Sequence, residues 1–139
     1  MGHTPRRTVC ALVLCLLAWR THGARASRIA FASMRDGVMD IYSLDADGGA
    51  LARLTMGAKP DAAPAWSPDG RHIVFHSVRD GDVEVYAMHA DGANQTRLTE
   101  RPGWDADPAP SPDGRQVAFV RSLGWLDQRL YLMGADGAN

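Results

Sequence analysis

The chain has 139 residues, 15 of them basic and 16 acidic, which is enough for one domain of ordinary size. Both of its cysteines, Cys10 and Cys15, lie near the N-terminus. Beyond residue 26 there are 11 basic residues against 16 acidic ones and no thiol. The absence of a thiol excludes disulfides and cysteine metal sites there. The excess of acidic residues argues against a nucleic-acid partner, which would need a basic patch.

Residues 1–26 have the order of a secretory signal peptide. Two arginines at positions 6 and 7 precede an apolar stretch over 9–19, and residues 24–26 place alanines at the two positions that a signal peptidase reads. The apolar stretch is shorter than the about 20 residues that span a bilayer. We therefore expect cleavage after Ala26 and a periplasmic or secreted mature chain with no membrane span.

Three other interpretations of this segment stay open. The arginine pair is compatible with twin-arginine export, although Thr8-Val9-Cys10 follows it poorly. Cys15 is compatible with lipoprotein acylation, although Leu14 stands where a small residue is wanted. The segment is also compatible with a retained helix buried at the domain edge.

A repeat of 44 residues organises the rest of the chain. Ile29-Ala30-Phe31 recurs as Ile73-Val74-Phe75 and as Val117-Ala118-Phe119. Further matches are Arg35-Asp36-Gly37 with Arg79-Asp80-Gly81, Ala46-Asp47-Gly48 with Ala90-Asp91-Gly92, Arg53-Leu54-Thr55 with Arg97-Leu98-Thr99, and Ser67-Pro68-Asp69-Gly70 with Ser111-Pro112-Asp113-Gly114. The matches divide the mature chain into units over 27–63, 64–107 and 108–139.

Each unit reads as four short strands joined by turns. In the middle unit we predict strands over 64–66, 72–77, 83–88 and 95–99, because Pro-Asp-Gly and Asp-Gly turn signals separate these runs. The two middle strands are apolar on both faces, so they need cover on both sides. The fourth strand is polar, as an outer edge should be.

This pattern predicts an all-β chain of β-propeller blades, each of four antiparallel strands, because about 40–45 residues per unit is the propeller period. A β-sandwich is the alternative fold. The first unit lacks a leading strand and the third lacks an outer one, which amounts to about two and a half blades. A ring needs roughly 4–8 blades, so we expect an incomplete ring with exposed sheet faces.

The repeat resembles the WD-like (PD40) repeat of the TolB β-propeller family, on the residues just quoted together with Asp105 and Pro108. The resemblance covers Ser27 to Asn139. It implies a periplasmic, non-catalytic propeller that binds protein partners of the Tol–Pal envelope system. The TolB family carries a separate α/β domain before its propeller, whereas here Ser27 leads directly into the first unit, so we expect a TolB-like chain.

Residues that recur in every unit are expected to be architectural, because a ring needs a functional site only once. Among the residues that do not recur, Trp104 and Trp125 fall in predicted loops or turns. Exposed aromatic side chains often mark a binding surface, so these two are the candidate partner contacts, with cover of the local core as the alternative. His72 and His76 lie four apart on a strand, about 13 Å, too far for one ion.

No catalytic, cofactor or metal motif is found in the mature segment. Gly-x-Ser-x-Gly, which marks a nucleophile elbow, does not occur, nor does a zinc-spaced histidine pair or a phosphate-binding glycine loop. The main functional hypothesis is a protein-interaction module. The alternative is the propeller part of a prolyl-oligopeptidase-like serine peptidase whose catalytic domain follows residue 139. A third possibility is a propeller enzyme or sugar binder whose site lies in further blades.

Overall fold

The computed structural model describes residues 27–124 and 126–138, which form ten strands and no helix. The strands are β1 (Arg28–Ser33), β2 (Asp40–Asp45), β3 (Ala52–Arg53), β4 (Asp61–Trp66), β5 (His72–Ser77), β6 (Glu84–His89), β7 (Thr96–Arg97), β8 (Trp104–Pro110), β9 (Gln116–Ser122) and β10 (Gln128–Gly134). The predicted signal peptide over 1–26 lies outside the described residues.

The strands form three consecutive antiparallel sheets. The first sheet has the order β1-β2-β3, the second β4-β5-β6-β7, and the third β8-β9-β10. The second sheet is the predicted four-stranded blade. Within the described ranges the first sheet has no strand before β1 and the third has none after β10. The predicted all-β, partial-propeller architecture is therefore confirmed.

The first strand of a blade begins earlier than the sequence indicated. β4 starts at Asp61 and β8 at Trp104, whereas the turn signals suggested starts at the prolines Pro64 and Pro108. A β-bulge lies between Ala62 and Ala65 and again between Ala106 and Ala109. A proline has no N–H for the ladder, and the bulge is where a strand tolerates it, so pairing continues past each proline.

Apolar side chains fill the space between neighbouring sheets. One buried cluster joins the first and second sheets and includes Ile41, Phe75 and Met88. Trp66 packs against this cluster. A second cluster joins the second and third sheets and includes Val85 and Phe119. Successive strand residues point to opposite faces, so β5 and β6 supply both clusters from alternate positions.

An arginine pairs with a buried carboxylate near the start of β4 and near the start of β8. Arg79 donates from its guanidinium to both carboxylate oxygens of Asp61 at 2.9 Å, and Asp61 is only 1% exposed. Because the carboxylate is buried, this pair differs from the solvent-exposed ion pairs that contribute about 0–1 kcal/mol. In the third sheet Arg121 donates to Asp105 at 2.7 and 2.5 Å.

The arginine that pairs with the buried aspartate comes from different repeat positions in the two sheets. By the 44-residue spacing the equivalent of Arg79 is Leu123, whereas Arg121 corresponds to Ser77. The two guanidinium groups nevertheless lie over equivalent ring pairs. Arg79 stands 4.7 Å from the ring centroid of Tyr86, and Arg121 stands 5.0 Å from that of Tyr131. The interaction is retained although the residue that makes it has moved by two positions along the strand.

In the second and third sheets, the glycine of the Ala-Asp-Gly turn packs against the outer segment of the preceding sheet. Gly92 has φ +88°, and a Cβ added there would stand 2.6 Å from the carbonyl oxygen of Leu54. Gly137 approaches the Leu98 carbonyl in the same way, at 3.1 Å. Gly48, at the same repeat position in the first sheet, has φ +89° but no neighbour within 4 Å.

We predict that Gly92→Ala destabilises the chain more than Gly48→Ala does. The backbone strain of an alanine at positive φ is common to both variants. Gly92→Ala adds a clash with backbone, and overpacking of this kind costs about 1–3 kcal/mol. Urea unfolding of the two variants measures the difference, and equal losses of unfolding free energy would contradict the inter-sheet contact.

A histidine–aspartate pair joins β5 of the second sheet to β8 of the third sheet. His76 Nδ1 lies 3.9 Å from Asp107 Oδ1, and the Asp107 backbone N–H donates to the same nitrogen at 3.3 Å. The equivalent positions one repeat earlier hold Ala32 and Ala63. Burial lowers the pKa of His76 from its usual value, and the nearby carboxylates of Asp107 and Asp61 only partly oppose this shift.

We predict that His76 makes the fold less stable in acid. Since its folded pKa lies below the usual value of about 6.5, the unfolded chain takes up the proton first as the pH falls, and unfolding is favoured. His76→Val, which copies Val120 at the same repeat position, should reduce the loss of unfolding free energy between one pH unit above and one below 6.5. An unchanged pH dependence in the variant would refute this role.

Candidate interaction surface

Five large apolar side chains are exposed along one edge of the three sheets. Because neighbouring strands are antiparallel, the β1–β2, β5–β6 and β9–β10 loops and the links from one sheet to the next all lie at this edge. The exposed side chains here are Met34, Met56, Trp104, Leu123 and Leu126. We call this set the apolar rim.

The opposite edge is made of regular polar turns. Ser67 and Ser111 each donate a hydroxyl hydrogen bond to the aspartate two residues on, at 2.6 Å. The Asp-Gly turns at this edge are closed by backbone hydrogen bonds, such as the bond from Gly92 N to the His89 carbonyl at 2.9 Å. Leu51 is the exposed large apolar side chain among the described residues of these connections. The two edges therefore differ in chemistry.

Trp104 is 62% exposed, which makes it the most exposed aromatic side chain of the described residues. It lies in the first position of β8, paired with Ser122 of β9, and not in a loop as its sequence context suggested. The backbone of β8 and β9 therefore fixes its position. The second candidate, Trp125, lies outside the described residues, and its role stays a prediction.

The β9–β10 loop adds the other large side chains next to Trp104. Between equivalent register pairs this connection has one residue more than the second sheet has: seven residues separate Arg121 from Arg129, and six separate Ser77 from Glu84. The loop is closed by bonds from Leu123 N to Asp127 O at 3.1 Å and from Asp127 N to Gly124 O at 3.3 Å. The Leu123 Cδ2 atom lies 3.2 Å from the point where a Cβ on Gly103 would stand, so Leu123 packs beside the residue that precedes Trp104. The sequence shows this insertion, but not that it adjoins Trp104.

Other ionisable residues lie away from the apolar rim. The Asp45 carbonyl accepts a bond from Gly48 N at 2.8 Å, and the Asp47 carboxylate accepts one from Gly49 N at 2.9 Å, and both bonds close the same turn. His72 and His89 lie at the opposite edge. His76 lies on β5, beside Asp107 of β8. Over residues 27–124 and 126–138, no three or more His, Cys, Asp or Glu side chains are grouped so that they could hold a metal ion. Nor does the described part of the chain contain a helix long and apolar enough to cross a membrane.

Comparison with known proteins places this geometry in a family. The family model PD40, the TolB beta propeller domain, matches residues 18–138. The Tol-Pal system protein TolB of Desulfosudis oleivorans is 40% identical over 67 residues, which cover 48% of this chain and 15% of that protein. An uncharacterised protein of Agrobacterium fabrum, Atu1656, is 39% identical over 72 residues, or 52% of this chain and 24% of the relative.

Solved structures agree with this assignment. A structure from Agrobacterium tumefaciens assigned provisionally to TolB has a TM-score of 0.75 and 38% identity, over 81% of this chain and 43% of that one. TolB from Acinetobacter baumannii has a TM-score of 0.68 over 81% of this chain and 28% of its own, and at 21% identity it shows the fold alone. The chain spans less than half the length of each of these relatives. From its repeats, its sheets and these matches, the chain belongs to the TolB β-propeller domain family.

Proposed function

We propose that this chain is a non-catalytic protein-interaction module of the cell envelope, and that the apolar rim is the surface that contacts its partner. The observation that carries the proposal is the contrast between the two edges of the sheets: large apolar side chains are exposed along one, and polar turns make up the other. Exposed apolar residues in a contiguous region are typical of interaction sites.

Trp104 is the proposed centre of the contact. Its side chain is largely exposed, and its backbone is held in a sheet, so a partner could bury the indole without first ordering the chain. Tryptophan is among the residues that most often dominate interface energetics. Leu123 and Leu126 extend the surface on the adjoining loop, and we propose that Trp125 belongs to the same contact.

The kind of partner is proposed from the family. A 40% identical relative is a Tol-Pal system protein TolB, which supports a role in an envelope assembly of that kind for this chain. A periplasmic location, reached by cleavage after Ala26, belongs to the same proposal. A dipeptidyl peptidase 4 from Porphyromonas gingivalis is 22% identical, which supports a shared fold alone.

We expect Trp104→Ala to reduce partner capture from envelope extract without lowering the melting temperature. Removal of a central interface aromatic typically costs at least about 2 kcal/mol of binding, or roughly 30-fold in Kd. Stability should be retained, because the side chain is mostly exposed in the free chain. Quantitative pull-down and thermal unfolding of the same preparation measure the two effects.

Leu51→Ala is the matched control for this experiment, since Leu51 is an exposed apolar residue at the opposite edge. It should leave capture unchanged. If Leu51→Ala and Trp104→Ala weaken capture equally, the apolar rim is not the specific surface. If Trp104→Ala lowers the melting temperature and leaves binding intact, the tryptophan is a packing residue.

The location is tested separately. The intact mass of the protein recovered from a periplasmic fraction should correspond to a chain that begins at Ser27. Recovery of the chain with residues 1–26 still attached, or with a lipid on Cys15, would contradict the proposed export route.

A further inference from the structure

Two histidines stand side by side at the edge opposite the apolar rim. His72 on β5 and His89 on β6 are register partners, and their ring centroids are 5.3 Å apart with the planes inclined by 72°. The next backbone hydrogen bond outward runs from Ala90 N to Arg71 O at 2.8 Å, so the histidines form a non-hydrogen-bonded pair. Side chains approach most closely at such pairs.

The histidine pair is specific to the second sheet. The same two positions of the first sheet hold Arg28 and Asp45, which form an ion pair at 3.7 Å. In the third sheet the equivalent residues are Gln116, the first residue of β9, and Gly134, the last residue of β10, and these are again register partners. Three chemically different pairs at one position show that the fold itself does not require histidine. Both imidazoles are exposed, so packing does not require them either.

The separation of the ring centroids allows both imidazoles to bind one metal ion. A zinc–nitrogen distance of about 2.0–2.1 Å, with the ring centroid about 1.1 Å further out, places two centroids about 5.2 Å apart at a tetrahedral angle. The observed separation is 5.3 Å. We propose that His72 and His89 form a binding site for a divalent transition-metal ion, of the class that imidazole nitrogen prefers and Zn²⁺ represents.

The surroundings of the pair are compatible with a bound cation. The histidines line an open cleft of about 450 Å³ together with Arg28, Arg71 and Asp91. The Arg28 guanidinium is already engaged: it donates to Ser43 Oγ at 2.6 Å and to the Ala90 carbonyl at 3.2 Å, and it pairs with Asp45. Asp91 also lines the cleft and adds an acidic residue to it, and its Oδ1 accepts the Ala93 backbone N–H at 3.0 Å.

Asn94 supports one of the two rings. Its side-chain amide nitrogen lies 3.3 Å from His89 Nδ1 and 3.5 Å from His89 Nε2. With the amide turned over, its oxygen would accept the N–H of one ring nitrogen and leave the other nitrogen for the ion, the arrangement by which neighbouring groups orient metal-binding histidines. Two protein ligands leave the remaining coordination positions to water or to a donor atom of a bound molecule.

The test is a Zn²⁺ titration of the full untagged chain, followed by the imidazole NMR signals. His3 and His22 are replaced by glutamine throughout, so that His72, His76 and His89 are the histidines that remain. We expect the signals of His72 and His89 to shift together and saturate, and those of His76 to stay in place.

The matched variant is His72→Arg with His89→Asp, which copies the ion pair of the first sheet and should keep the fold. We expect it to abolish the saturable shift. A single His89→Asn change should lower the Zn²⁺ affinity by at least about tenfold, because loss even of an outer-shell partner costs that much. His76→Val should leave the affinity unchanged.

Two results would overturn the proposal. One is a wild-type chain whose histidine signals do not saturate with millimolar Zn²⁺. The other is an affinity that is the same in wild type and in either His89 variant, which would place the ion elsewhere. The single variant keeps the test decisive if the double variant does not fold.

Discussion

The burial of apolar side chains between neighbouring sheets is the interaction on which the rest of the structure depends. β5 and β6 are apolar on both faces, so the second sheet is stable only with a sheet on each side. Every other contact between sheets follows from that stacking. Gly92 meets the Leu54 carbonyl, and His76 meets Asp107, because the apolar clusters bring the sheets to a fixed separation.

The repeat provides comparisons within one molecule. The buried carboxylates Asp61 and Asp105 occupy one position, and each keeps an arginine partner, although the arginine comes from a different place in the repeat. An unpaired carboxylate at such depth would be costly, so the pairing persists when the residue changes. By contrast, His72 and His89 are exposed, and the residue types at their repeat positions change from sheet to sheet. Burial explains which positions are constrained and which are free to acquire a ligand.

The two edges of the sheets offer separate surfaces to other molecules. The apolar rim combines a tryptophan held in a strand with leucines on an extended loop, an arrangement suited to burial against a protein. The opposite edge combines short polar turns with a pair of imidazoles, which suits a small ion. A propeller sheet separates these edges by the length of its strands, so the two proposed sites are independent of one another.

The sequence by itself determined the period, the turns and the class of fold. The 44-residue spacing, the Asp-Gly and Pro-Asp-Gly signals and the doubly apolar middle strands depend on local chain geometry and on burial, which are legible in residue order. The strand over 72–77 was predicted at its observed bounds. The starts of β4 and β8 were missed, because a bulge that carries pairing past a proline has no clear local signal.

Only the tertiary structure decided which distant residues meet. The sequence placed His72 beside His76, four residues along the same strand, whereas the partner of His72 is His89, 17 positions away across a hairpin. Likewise the replacement of Arg79 by Arg121 became visible only when both guanidinium groups were seen over equivalent rings beside buried aspartates. The physical reason is that strand register and sheet stacking are set by the sum of many contacts, and no single segment of the chain contains them.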